Sequence, residues 1–420
     1  MLNLEKTIIS LARDFVKKYH PVIIGITGNV GKTLTETALQ DVLSVLNIRT
    51  RALKGESTKL KMALTILGGD SETAGFFPSL LFVIRSFWYV MVMGDKKPPV
   101  IILEYPLTRP GEMSERLSVA RPNVGIITGL GDIPSNIEQF ENMTAVIKEL
   151  HGFVAKLGSH DYLILNSDDK NVLPLINQSR AQAMTFGFDE GAGLKIINFE
   201  NRYDFDKLVG ISFKLETAGN FVPVRIDGVV GRFHAYAAAA AGAYTLLRGI
   251  NLVKTSEALA KYSGLPGRSR LLAGIKNTYL IDDTYDSSIW GMVTALETFH
   301  AIEAKRKIAV LGDVLNLGKY AETAHEELGR LVKGSANILI TVGPRSRFIA
   351  EGARDAGFSK KDILSFDDAD EAGIKLQEIM KEGDVVLIKG SKALTMERIV
   401  LEVMAEPQKA EKLLVRPISD

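Results

Sequence analysis

The stretch Val22–Leu39, "VIIGITGNVGKTLTETAL", governs how the rest of the chain is read. Val22 to Ile26 is a short apolar, β-branched run of the kind that makes a buried strand. Gly28 and Gly31 follow, then Lys32 and Thr33, then good helix formers at Leu34, Glu36, Ala38 and Leu39. Strand, glycine loop, Lys-Thr and helix form the layout of a phosphate cradle. Glycines let backbone N–H groups turn inward, the helix N-terminus favours anions, and Lys32 can reach the β- and γ-phosphates of a nucleotide. The Thr33 hydroxyl is then placed to ligate Mg²⁺. The common pattern G-x-x-x-x-G-K-[ST] asks for a glycine five residues before Gly31, where this chain has Ile26. The loop is therefore a variant, T-G-x-x-G-K-T, and Thr27, Gly28, Asn29, Val30, Gly31, Lys32 and Thr33 are the expected ATP contacts.

Other stretches fit around this one. Apolar strand-like runs alternate with helical patterns through "VIILEY" (Val100–Tyr105), "VGIITGLG" (Val124–Gly131) and "DYLILNSDD" (Asp161–Asp169). That alternation predicts a mostly parallel sheet with helices on both faces, and ligands beyond the carboxyl ends of its strands. From about Gly191 to Gly231 the pattern changes to antiparallel strands, and "GRFHAYAAAAAGAYTLLRG" returns to a closely packed helix. A break dense in Gly, Pro and Arg falls at Tyr262–Arg270, "YSGLPGRSR", after which "TYLIDDTYD", "KIAVLGDV", "NILITVG" and "DVVLIKGS" restart the alternation. The expected organisation is a linker helix over 1–20, a central ATP-binding domain over 21–265 and a second α/β domain over 266–420.

A chain of 420 residues has room for such domains, each with its own core. Its net charge of +1 gives no reason to expect a nucleic-acid partner. Without cysteine there is no disulfide, thiolate metal site or cysteine nucleophile, and the opening residues lack the form of a signal peptide; both fit a cytoplasmic protein. Those residues read instead as an amphipathic helix with Leu4, Ile8, Leu11 and Phe15 on one face. Phe76 to Gly94 is almost continuously apolar over about the length of a membrane span. Arg85 at its centre and Pro78 near its start favour a buried or interfacial helix.

Taken in order, "GITGNVGKT", "LEYPLTRPGEM", "LNSDD", Gly267-Arg268, "IDDTYDSS", "LGDVLNLG" and "LIKGSKALTMERIV" resemble the Mur ligase family. They are closest to its branch that adds D-alanyl-D-alanine to a muramoyl tripeptide, and the likeness runs from about Leu11 to Val400. The resemblance implies an α/β fold, a P-loop central ATPase domain with a mostly parallel sheet followed by a Rossmann-like domain. It also implies an ATP- and Mg²⁺-dependent ligase of cell-wall peptide synthesis, in which a phosphorylated carboxylate is attacked by the amine of an amino acid or dipeptide. Lys32, Glu104 and Arg268 would be the catalytic residues, with Thr33 and Glu104 on the metal. Arg268 would reach the phosphates from the domain junction, Asp283 would hold the ribose, and Asp313, Lys389 and Ser391 would face the amine substrate.

The departures from the family cluster at function. Only a helix stands ahead of the ATP loop, where the family carries a domain for the UDP-sugar. The family motif N-x-E-[IL]-G-x-P is replaced by "STKLKMALTILG", with Lys59 and Lys61 at its glutamate and glycine. Asn136 stands where the family has a metal-binding histidine and is expected to ligate Mg²⁺ through its amide oxygen, and Leu150 stands where the family has a carbamoylated lysine. Phe233, His234 and Ala237 occupy the His and Asn positions of the adenine-contacting stretch. Asp286 and Ser288 occupy the Asn positions of "DDTYNANP", and Ile289-Trp290 replaces Pro-Asp. Two readings follow, a ligase whose acceptor carrier is gripped differently, or a catalytically altered ATP-binding scaffold or regulator. In either, Phe76–Met93 offers a docking surface for a membrane face or a protein partner.

Overall fold

The computed structural model describes residues 2–52, 57–69, 76–92 and 98–416; Met93 and Gly94 lie outside them. The first sheet is built from β1 (Ile23–Thr27), β2 (Thr50–Ala52), β3 (Val100–Tyr105), β4 (Val124–Ile127), β5 (Tyr162–Asn166), β6 (Gln182–Gly187), β7 (Leu194–Asp204), β8 (Lys207–Thr217) and β9 (Asn220–Asp227). Its order is β2-β3-β1-β4-β5-β6-β7-β8-β9. Neighbours from β2 to β7 run parallel, and β7-β8-β9 form an antiparallel ribbon, as the change of pattern after Gly191 predicts.

Alternation along the strands sorts side chains to two cores. Ile101, Leu103 and Tyr105 of β3 join one cluster with Ile23, Leu163 and Leu165, while Ile102 joins the other with Ile24, Ile26 and Ile164. The first cluster is covered by α1 (Leu2–Tyr19), α3 (Lys59–Leu67), α4 (Phe76–Val92), α5 (Glu112–Leu117) and α6 (Met143–Val154); the second is covered by α2 (Lys32–Val45), α7 (Arg232–Leu247) and α8 (Leu252–Leu259). Two-residue periodicity therefore turns Glu104 to the face of Ile102, beneath α2. The alanines Ala237–Ala241 are fully buried because α7 packs closely on β5, β6 and β7 and against α2. Helix α1 docks through Ile8, Leu11, Ala12 and Phe15, as its pattern predicts. Burying a side chain such as Phe15 contributes about 1.5–3 kcal/mol, so Phe15→Ala would loosen the helix.

Helix α4 is half buried. Phe82, Ser86 and Val90 face inward, and Lys18 and Tyr19 of α1 donate to the Val90 carbonyl at 3.0 and 2.7 Å. Leu81, Ile84, Phe87, Trp88 and Met91 are exposed with Arg85 on the outer face. No helix among the described residues is long and apolar enough to cross a membrane.

The second sheet contains β10 (Arg270–Gly274), β11 (Thr278–Asp283), β12 (Lys307–Gly312), β13 (Ile338–Val342), β14 (Ile363–Phe366) and β15 (Val385–Lys389), in the order β10-β11-β15-β12-β13-β14. Only β10 is antiparallel to its neighbour. Helices α9 (Ile289–His300), α10 (Ala321–Val332) and α11 (Arg347–Asp355) cover one face; α12 (Ala369–Ile379) and α13 (Glu397–Val403) cover the other. The carboxyl ends of β1, β11 and β15 supply residues to one cleft between the sheets.

Candidate functional site

The loop after β1 has the shape its sequence predicts. Gly28 and Gly31 hold φ of 127° and 86°, in the region that side-chain-bearing residues avoid, and a Cβ at Gly28 would strike Thr128. Gly31 caps α2, whose first residues are Lys32 and Thr33, so N–H groups and the positive end of the helix dipole point into the cleft. Val30, Gly31, Lys32 and Thr33 line that cleft. Asn29 also lines it, but its side chain braces the loop: Nδ2 donates to the Leu130 carbonyl at 3.2 Å and Oδ1 accepts from Ser135 N–H at 2.9 Å. Thr27 ends the strand with Oγ1 buried and unpartnered among the described residues.

Lys32 curls over the loop, its Nζ donating to the carbonyls of Gly28 and Asn29 at 2.9 and 3.2 Å. Desolvation lowers the ammonium below its ordinary value, Glu104 pulls it back up, and Arg268 pushes it further down. Thr33 Oγ1 donates to Glu104 Oε1 at 2.9 Å. This pair, one hydroxyl from a helix start and one carboxylate from a strand end, is an all-oxygen donor set that fits a hard cation such as Mg²⁺. Glu36, one turn further along α2, is buried, and burial raises its carboxyl well above the usual range, with the charge of Glu104 adding to the rise. The motif reading passed over Glu36, although its three-residue spacing from Thr33 places both on one helical face.

The second sheet closes the other side. Arg268, Ser269, Asp283, Asp286, Ser287, Ser288 and Lys389 line the same cleft as the loop. Arg268 stacks its guanidinium on Tyr285 at 4.1 Å, and its carbonyl is held by His234 Nε2 at 2.8 Å. The other ring nitrogen of His234 meets the Tyr262 hydroxyl at 2.9 Å. His234 is a packed histidine, as its context suggests, and burial lowers it to about 4. Asp283 accepts from Ser269 N–H at 3.1 Å and pairs with Lys389 at 2.8 Å, both side chains being buried. Ser287 Oγ is buried without a partner among the described residues. Ser269 and Ser287 lie in stretches the sequence singles out but had no role of their own there, because only the closing of one sheet against the other makes them line the cleft.

Other expected site residues are engaged elsewhere. Asn136 sits at a φ of 62°, and its Oδ1 accepts from Asn316 Nδ2 at 2.9 Å, a bond between the two halves of the chain. Leu150 is fully buried in the first core, while Lys148 is exposed on α6. Asp313 and Ser391 are buried and bond to backbone: Asp313 Oδ1 accepts from Ser346 N–H at 2.6 Å, and Ser391 Oγ accepts from Leu315 N–H at 3.1 Å. Lys59 pairs with Glu115 at 3.4 Å. Ser288 caps α9, accepting from Gly291 N–H at 3.0 Å. Trp290 lies over the loop after β4, where a Cβ at Gly129 would strike its ring, and it meets Phe233 edge-on at 5.3 Å. No group of three or more His, Cys, Asp and Glu able to hold a metal occurs among the described residues.

Comparison with known proteins matches residues 26–245 to the Mur ligase middle domain and residues 267–392 to the Mur ligase glutamate ligase domain. A UDP-N-acetylmuramoyl-tripeptide–D-alanyl-D-alanine ligase of Bacillus subtilis is 24% identical over 401 residues, covering 94% of this chain and 79% of that protein. A ligase of the same name from Synechocystis is 25% identical over 403 residues, covering 94% of this chain and 77% of that protein. Among solved structures, MurF ligase from Thermotoga maritima in complex with ADP superposes with a TM-score of 0.77 at 20% identity, covering 97% of this chain and 84% of that one. That likeness extends the fold over both sheets.

Proposed function

This chain belongs to the Mur ligase family, and from that premise we propose that it is an active ATP-dependent carboxylate–amine ligase working through an acyl phosphate. The observation that carries the proposal is the single cleft in which Gly31, Lys32 and Thr33 face Arg268, Asp283 and Lys389 across the two sheets. An acceptor carboxylate oxygen attacks the γ-phosphorus, the bond from that phosphorus to the β,γ-bridging oxygen breaks, and ADP leaves. The amine nitrogen then attacks the carbonyl carbon of the acyl phosphate, expels inorganic phosphate and loses a proton, leaving an amide.

In this reading the loop N–H groups and Lys32 hold the β- and γ-phosphates, and Arg268 meets the charge that develops on the transferring group. Thr33 and Glu104 would hold Mg²⁺, which when bound neutralises phosphate charge. Asp283 faces the ribose hydroxyls and is aimed by Lys389 and Ser269 N–H. Lys389 faces the amine substrate from the same cleft while paired with Asp283, and Asp313 and Ser391 act by fixing the loops beside it. Burial between the sheets keeps water from the acyl phosphate.

The substrates named for the relatives, a UDP-muramoyl tripeptide and D-alanyl-D-alanine, are the first to test for this chain. ADP release is measured for the wild type and Lys32→Ala across a panel of carboxylate acceptors, with the dipeptide or with single amino acids. Release that requires both acceptor and amine and disappears in the variant supports the ligase. Nucleotide binding without such stimulation overturns it in favour of an ATP-binding scaffold.

A further inference from the structure

Five large apolar side chains lie exposed on one helix. Along α4, Leu81, Ile84, Phe87, Trp88 and Met91 face solvent, from 49% exposed at Ile84 and Phe87 to 68% at Leu81. The other exposed large apolar residues of the described chain stand one to an element, so α4 alone carries a patch. Steps of three and four residues from Leu81 through Ile84, Trp88 and Met91 make it a continuous stripe, with Phe87 on its flank. Phe82, Ser86 and Val90 hold the opposite side against the protein, and Phe15 of α1 stacks on Tyr89 at 5.4 Å. The helix is therefore fixed along the surface with its apolar side outward, and it is not long and apolar enough to cross a bilayer.

Charge decides what this face fits. Between residues 81 and 91 the only charged side chain is Arg85, exposed in the middle of the stripe. Lys18 of α1 places its ammonium at the end of the stripe, donating to the Val90 and Met91 carbonyls at 3.0 and 3.3 Å. Along the exposed side of α1, Lys6, Arg13, Lys17 and Lys18 outnumber Glu5 and Asp14. A second copy of this chain matches the face poorly. A two-fold axis through the middle of the stripe brings Arg85 beside its own copy, with no carboxylate between residues 81 and 91 to answer the pair. An anionic lipid surface matches on both counts: the boundary of headgroups and acyl chains accepts the apolar side chains, while Arg85 and Lys18 extend to the phosphates.

We propose that α4 is an interfacial anchor whose outer side, over residues 81–91, enters the headgroup layer of a membrane containing anionic lipid. The helix lies flat, Phe87 and Trp88 reach the acyl boundary, and Arg85 and Lys18 meet lipid phosphates. None of these residues lines the nucleotide cleft, so the proposal stands or falls independently of the ligase reading.

The test is cosedimentation of the full chain with vesicles of phosphatidylcholine alone and of an equal mixture with phosphatidylglycerol. Wild type, the double variant Phe87→Ser with Trp88→Ser, and Arg85→Glu are compared, and thermal melting checks that each is folded. Wild type is expected to bind the mixed vesicles at least about tenfold more tightly than the neutral ones, an advantage that fades in high salt. Arg85→Glu should lose most of that advantage, and the double variant should bind the mixed vesicles about tenfold more weakly than wild type. In Trp290→Phe, emission from Trp88 should shift to shorter wavelength on mixing with the anionic vesicles, a readout that leaves α4 unaltered. A double variant that binds within about twofold of wild type overturns the proposal. So does wild type that stays in the supernatant with both vesicles, whether the face then joins a second copy, a protein partner or nothing.

Discussion

The loops that follow β1 and β4 begin alike, "TGNVG" at Thr27–Gly31 and "TGLG" at Thr128–Gly131, on adjacent parallel strands. Their fates differ. The first keeps its glycine-lined interior open to the cleft and turns Lys32 and Thr33 toward it. The second is filled by protein: Asp169 accepts from the N–H groups of Leu130 and Gly131 at 2.5 and 2.9 Å, and Trp290 from the other half of the chain lies on Gly129 and Gly131. Glycine permits close approach, but what approaches is decided elsewhere in the chain. One loop is left open to the cleft, and its neighbour is closed by a side chain.

The contrast breaks most readily at Lys32. Lys32→Ala should lower kcat/KM at least about 10²-fold while leaving the thermal midpoint close to wild type; a large loss of stability would mean that the first loop is also a structural plug. At the junction between the halves, His234 is neutral in the folded protein and its value there, about 4, lies below the unfolded value of 6.5. Its contribution to stability is therefore complete above pH 6.5 and is lost as pH falls toward 4, by roughly 3 kcal/mol. Asp282, raised by burial to about 6, runs the other way: its neutral form is favoured at low pH, and stability is lost as pH rises from its unfolded value of 3.8 through 6. Urea unfolding of wild type and His234→Gln between pH 7 and 4 isolates the histidine; equal slopes in the two proteins would refute its neutral burial.

Smaller effects sharpen the same comparison. Trp290→Ala should cost about 2 kcal/mol in stability by emptying the space over Gly129 and Gly131, measured by urea midpoint. An unchanged midpoint would show that the second loop needs no cover. Asn136→Ala and Asn316→Ala should each cost about 1 kcal/mol and be non-additive in a double-mutant cycle. Weaker Mg²⁺ affinity in Asn136→Ala but not in Asn316→Ala would make Asn136 a ligand rather than a brace.

Local rules carried much of the architecture. The β1 loop and α2 follow from a strand, two glycines and a helix start, and alternation in β3 fixes the face on which Glu104 stands. The alanine run and the antiparallel ribbon also follow short patterns. What could not be read depends on contacts distant along the chain. Asn136 meets a partner 180 residues away, and Trp290 crosses from the second half to the loop after β4. The apolar run of α4 does not reveal which of its residues α1 covers, so its exposed side emerges only from packing. Asp313 and Ser391 sit at strand ends, where a polar residue serves a substrate or a loop equally well until its hydrogen bonds are seen.

Trp290 also gives the molecule an optical gauge. The chain has two tryptophans, and the other, Trp88, is 61% exposed on the outer side of α4. With Trp88→Phe, emission would come from a single indole wedged where the two sheets meet. Any motion that parts them would move that ring from an aromatic and glycine surface into water, shifting its spectrum to longer wavelength. The rate of that shift on mixing with Mg-ATP would time the joining of the two halves without an added dye.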